Sequence, residues 1–228
     1  MRILRYIFLS SLLLLLPFAA SAQRAADKEK VPVDFSFKGV SLSADLFGFA
    51  NSLLSEYTSG ELAVKGNLGN RLYPAAEVGL GWCDALDEAT GIKYKTSAPY
   101  YRVGVDYNFT TSAEEPDPKY YIFGLARFAW TGCEYDVVTP PITDPIWGGS
   151  ASLDLKGVEG RAAWAEIGVG VRVQIARNFH MGWSVRYKAR MNQAKGGHSE
   201  MWYIPGYGIN KSTCFGGTYD LIYEIPFR

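Results

Sequence analysis

The sequence predicts an all-β fold, an up-and-down antiparallel transmembrane β-barrel of about eight strands with a polar lumen. Three observations predict it. The N-terminus reads as an export signal, the remainder alternates apolar and polar residues with period two, and the connections between alternating segments alternate in length.

The export signal comes first in the chain. Arg2 and Arg5 supply a positive start, Ile7 to Phe18 is apolar, and Ala20-Ser21-Ala22 matches a small-residue cleavage site. The apolar run is shorter than the ~20 residues of a spanning helix. Residues 1–22 are therefore expected to be a signal peptide, 23–37 a charged periplasmic leader, and 38–228 the barrel. After Ala22 no apolar run reaches helix length, so membrane insertion has to use strands.

Strands are expected at 38–49, 57–66, 72–82, 99–109, 120–131, 161–175, 179–190 and 215–227. In the fourth, Tyr101, Val103, Val105, Tyr107 and Phe109 oppose Arg102, Gly104, Asp106 and Asn108. In the sixth, Ile167, Val169, Val171 and Val173 oppose Glu166, Gly168, Gly170 and Arg172. In the seventh, Met181, Trp183, Val185 and Tyr187 oppose Ser184, Arg186 and Lys188. In the eighth, Tyr219, Leu221, Tyr223, Ile225 and Phe227 oppose Asp220, Ile222 and Glu224. The fifth is irregular: with Arg127 on the polar face, Phe123 and Leu125 fall there too, which a β-bulge would resolve.

A lipocalin-like soluble barrel would turn the apolar face inward; a membrane barrel turns it to lipid. Glycines on the polar face (Gly79, Gly81, Gly104, Gly168, Gly170, Gly182) favour the second, because inside a narrow barrel they make room for long neighbours. The polar face also mixes both signs, as a self-neutralising lumen requires. Finally, connections 67–71, 110–119 and 176–178 are short, whereas 83–98, 132–160 and 191–214 are long, the pattern of periplasmic turns and external loops.

The lumen charges expected to pair as a structural network are Glu77, Arg102, Asp106, Arg127, Glu166, Arg172, Arg186, Lys188, Asp220 and Glu224. Cys83, Cys133 and Cys214 sit where strands meet long loops. If a disulfide forms, Cys83 with Cys133 is the first choice; the alternative is three small buried thiols. The segment around Trp202, Tyr203, Pro205 and Tyr207 is an external loop of unusual aromatic content, suited to contacting a partner or to folding over the barrel mouth.

Other motifs carry less. His180 and Ser184 share an inward row, and His198-Ser199-Glu200 lies in the last loop, but catalysis needs a base in reach of the nucleophile and oriented by a third group. Asp84, Asp87 and Glu88 lack calcium-loop spacing, and two histidines give no metal spacing. No cofactor or metal is expected. With 23 basic and 23 acidic residues the formal charge is zero, against a general nucleic-acid binder.

With signal, alternation, loop asymmetry and the closing Tyr219-x-Leu-x-Tyr-x-Ile-x-Phe227, residues from about Phe35 to Arg228 resemble the small outer-membrane barrels of Gram-negative bacteria, of OmpX or OmpA-transmembrane type. In those families a terminal aromatic residue is read by the insertion machinery; here Phe227 is penultimate, a departure. Ser43-Ala-Asp-Leu, Arg71-Leu-Tyr-Pro-x-x-Glu-x-Gly-x-Gly81 and Trp202-Tyr-Ile-Pro-Gly-Tyr-Gly208 further resemble a family of unknown function. The resemblance implies an outer-membrane location and this fold, and no activity. The even strand count and the export signal lead to the expectation of a Sec-exported protein with both termini periplasmic, and the expected partners are membrane lipid, the insertion machinery and an envelope protein. The expected role is non-enzymatic binding, bracing or assembly. The alternatives are a narrow channel and a lipid-modifying enzyme.

Overall fold

Period-two alternation resolves into a closed ring in the computed structural model, which describes residues 35–51, 57–111, 118–143, 148–194 and 200–227. The barrel strands are β1 (Phe37–Asp45), β2 (Tyr57–Leu68), β3 (Leu72–Leu86), β4 (Lys93–Asn108), β5 (Tyr120–Val138), β6 (Asp154–Ala176), β7 (Phe179–Ala194) and β8 (Thr213–Pro226). Each pairs antiparallel with its sequence neighbour, and β1 also pairs with β8, with Val40 opposite Gly66 on one side and Ile225 on the other. Closure leaves no edge whose backbone groups would lack partners in lipid. The expected signal peptide and nearly all of the leader lie outside the described residues.

One rim carries the tight turns at 69–71 and 177–178 together with the end of β4 and the start of β5; at the other lie the end of β1, the start of β2, the six-residue connection 87–92, and the ends where β5 meets β6 and β7 meets β8. At the first rim Gly69 and Asn70 both take positive φ (58° and 57°), the geometry a two-residue hairpin turn demands. Asn67 secures it by accepting from the Asn70 amide at 2.8 Å.

Several strand limits differ from the sequence expectation. The first strand stops at Asp45, not 49, because Leu46–Asn51 forms a short helix, α1. The Asp45 carboxylate caps it, accepting from the amides of Phe47 (3.0 Å) and Gly48 (3.3 Å). At the same rim β3, β4, β5 and β6 run well into segments expected to be loops, so the connection at 83–98 shrinks to 87–92. The reason is an inversion of the pattern along the strands. Nearer the turn rim, Val103, Ile167, Val169 and Val185 face out while charges face in. Toward the loop rim, Tyr94, Ala98, Tyr135 and Val137 face in, while Lys93, Lys95, Glu134 and Asp136 face out.

Aromatic rings mark the limits of the apolar band. Near the turn rim Phe37 packs on Phe227, Phe179 on Tyr223, and Tyr107 on Phe109. Farther up, Tyr101 stacks on Trp130 and Tyr187 packs on Phe215. From Tyr120 to Trp130 is ten residues along β5, a rise of about 23 Å at ~3.3 Å per residue and ~45° tilt. That matches the ~25 Å band of membrane barrels.

The bulge expected in β5 is not there. Phe123 and Leu125 stay in register and face the interior, opposite Gly170 and Gly168 of β6. A Cβ on Gly170 would fall on the Phe123 ring, so the glycine is what lets an aromatic occupy a polar row. With Tyr73 and Tyr121 these two residues form a small apolar cluster inside the barrel.

Candidate functional site

The interior is the candidate site, and it is filled in layers. At its middle β2 contributes Glu61 and Lys65, β3 Glu77, β4 Arg102 and Asp106, β5 Arg127, β6 Glu166, and β7 Arg186, all facing inward and buried. Alternation alone places them: each lies on the inward parity of a strand whose other face is apolar.

Glu77 is the hub. One carboxylate oxygen lies 2.8 Å from Arg127 Nε, the other 2.9 Å from Arg186 and 3.5 Å from Arg102. Arg127 also holds Asp106 at 2.5 Å, and Lys65 holds the same carboxylate at 2.8 Å. Arg102 pairs with Glu61 and sits 2.9 Å from Glu166, which Trp164 also binds through its indole N–H at 2.6 Å. Arg186 reaches Glu166 at 3.4 Å. A buried ion pair adds little net stability over apolar packing, but removing one partner strands the other, at about 3–5 kcal/mol.

The remaining predicted charges divide. Asp220 accepts from the Thr218 hydroxyl at 3.2 Å, at the network's edge. Arg172 and Glu224 belong to a separate cluster near the turn rim, paired at 2.6 Å with Tyr121 and Asn67 as further partners. Lys188 lies above the network and donates to two backbone carbonyls, Gly206 at 2.8 Å and Tyr207 at 3.2 Å. Glu61 and Lys65 were missed in the sequence. The signal was present in Glu61-x-Ala-x-Lys65-x-Asn67, opposed by Leu62 and Val64, but this strand has few apolar residues to announce it.

Those two carbonyls belong to a plug. Residues Tyr203–Ile204 and Gly208–Ile209 form a small hairpin tucked into the barrel mouth. Tyr203, Ile204, Pro205 and Tyr207 are buried in an apolar core with Tyr94, Tyr100, Tyr135 and Trp164. Gly206 has φ +77°, and a Cβ there would fall on the Tyr100 ring, so only glycine turns the hairpin. Its carbonyl also accepts from Arg102 at 2.8 Å, joining plug to network. Of the two expectations for Trp202, Tyr203, Pro205 and Tyr207, folding over the barrel mouth is the one this placement supports, and an external contact loop is not. Only Trp202 keeps substantial exposure, stacked on Tyr94, because the rest find the apolar interior that the inverted pattern creates.

Of the two expectations for the cysteines, separate thiols is the one found: no disulfide joins Cys83, Cys133 or Cys214, with Cys83 and Cys133 buried and Cys214 half-buried. Cys83 and Cys133 lie on β3 and β5 with β4 between, two strand spacings of about 4.8 Å each. That exceeds the ~7 Å reach of a disulfide. Cys133 instead contacts the Met201 sulfur at 3.4 Å, and Cys214 donates to Tyr207 O at 3.3 Å.

The Ser184 hydroxyl bonds that of Thr218 at 2.9 Å, and His180 sits four residues away beside Arg172. That is about 13 Å along the strand, far outside proton-transfer reach. His198 and Ser199 lie outside the described residues. Of the acidic loop, Asp84 is paired with Lys93 and Lys95, and Asp87 is bonded to Thr90.

A family profile, described as a domain of unknown function, matches residues 3–228. The chain belongs to the DUF6048 family. No characterised protein matches this DUF6048 chain by sequence. Among solved structures it is similar to a major outer membrane protein from Thermus thermophilus, at 13% identity and TM-score 0.49 over 83% of this chain and 98% of that one. It is also similar to Ail, the attachment invasion locus protein of Yersinia pestis, at 10% identity and TM-score 0.40 over 83% and 98%. Neisserial surface protein A gives 10% identity and TM-score 0.42 over 84% and 96%.

Proposed function

We propose that this protein is a Sec-exported outer-membrane barrel that is closed to transport and acts without catalysis, as a binding or bracing element of the envelope through its loop rim. The observation that carries the reading is the filled interior. A charge network spans the barrel, and the Tyr203–Ile209 hairpin caps it with buried apolar side chains. In this reading the ringed apolar band meets lipid. In the same reading the turn rim, where β1 begins and β8 ends, faces the periplasm. The loop rim, where strands turn charged side chains outward beyond the upper aromatic ring, projects from the membrane and offers the surface a neighbouring envelope protein would meet.

Planar-bilayer recording of the refolded protein tests the closed state. The expected record is flat; steady conductance would replace this reading with the narrow channel. Lipid A mass spectrometry of a deletion strain tests the catalytic alternative, and an unchanged profile is expected.

A further inference from the structure

The turn end of the barrel holds a cavity of about 400 Å³ that the central network leaves unused. Lys119, Arg177, His180, Asn178 and Glu224 lie on its wall. We propose that this cavity binds a phosphate group, carried by a lipid headgroup or free in solution.

Three observations point to an oxyanion. The one carboxylate on the described wall is already committed, since Glu224 accepts from Arg172 at 2.6 Å and from Asn67 at 3.1 Å. Lys119 and Arg177, by contrast, have no carboxylate within 4 Å among the described residues. The third is the imidazole. Arg172 Nη2 lies 3.2 Å from His180 Nδ1, and a guanidinium can only donate. Nδ1 therefore accepts, which puts the proton of the neutral ring on Nε2. Nε2 is 3.8 Å from Glu224, outside hydrogen-bond reach.

Among the described residues, then, a fixed N–H without an acceptor shares one cavity wall with a lysine and an arginine without carboxylate partners. That set fits the oxygens of a phosphate. Arginine's planar fork suits that geometry, and lysine adds a point charge. Only the lipid source rests on the membrane orientation proposed above. Binding of free phosphate in detergent does not.

The test uses full-length mature protein, ¹⁵N-labelled at histidine, with His198→Gln so that His180 gives the single imidazole signal. In maltoside micelles, inorganic phosphate should shift His180 Nε2 saturably. The double variant Lys119→Gln/Arg177→Gln should weaken that binding about tenfold while keeping the folded, heat-modifiable gel mobility. In phosphate-free buffer, phosphatidylglycerol nanodiscs should reproduce the shift if a headgroup is the source. No shift with either probe, or an equal shift in the double variant, would overturn the site. The micelle result stands whatever fractionation says about membrane location.

Discussion

Replacing Glu77 by alanine should be the most damaging single change in the lumen. Its carboxylate is shared by Arg127, Arg186 and Arg102, all at 4% side-chain exposure or less. Each arginine keeps another acid: Asp106 for Arg127, Glu166 for Arg186, and Glu61 with Glu166 for Arg102. The loss is therefore one buried charge left over, not three, and the expected cost is about 3–5 kcal/mol. The arithmetic of charge gives a sharper form. Removing Arg127 as well restores neutrality, since Asp106 still has Lys65 at 2.8 Å. Glu77→Ala/Arg127→Ala should consequently cost less than the sum of the two single changes, with coupling of at least about 1 kcal/mol. Urea-dependent folding into phospholipid vesicles, followed by tryptophan fluorescence and gel mobility, measures all three. A Glu77→Ala cost under about 0.5 kcal/mol would refute the network as a tightly paired, dehydrated element.

Three further outcomes are expected. Val169 is 60% exposed in the apolar band, so Val169→Lys should cost about 2–4 kcal/mol of folding into bilayers, whereas Val169→Leu should be silent. Gly170→Leu should cost at least roughly 1–3 kcal/mol by overpacking the Phe123 ring and the Trp183 carbonyl, read by the same titration. Mass spectrometry of the unreduced, alkylated protein should find all three cysteines alkylated after unfolding, and a Cys83–Cys133 peptide would contradict the strand separation.

The apolar band was legible because its alternation is uniform: parity put Val169 and Gly170 of β6 on opposite faces, and the glycines and mixed charges of one face marked it as the interior. Glycine placement was equally readable as space for neighbours, and Gly170 beneath Phe123 is that effect. The strand ends were illegible for a definite reason. Past the upper ring the same alternation continues with its sense reversed, so Tyr94 and Tyr135 turn in and Lys95 and Glu134 turn out. A reading that takes apolar as outward sees noise there and assigns loops. The same assumption left Tyr203 and Tyr207 undecided between a partner contact and the barrel mouth, because the apolar interior they fill is provided by the inversion. Helix α1 was not legible either, because its apolar Leu46 and Phe47 imitate a continuing strand, and the cap at Asp45 shows only in the folded chain.

The facing of the barrel can be measured directly with methyl-labelled protein in nanodiscs, using doxyl-labelled lipid and a water-soluble gadolinium chelate as separate relaxation probes. The lipid probe should broaden Ile167, Val169, Val185 and Val103, and the methyls of Ile204, Leu125 and Ile222, all buried in the interior, should be spared by both. Broadening of the first set by gadolinium and not by doxyl lipid would mean that the apolar face does not meet a membrane.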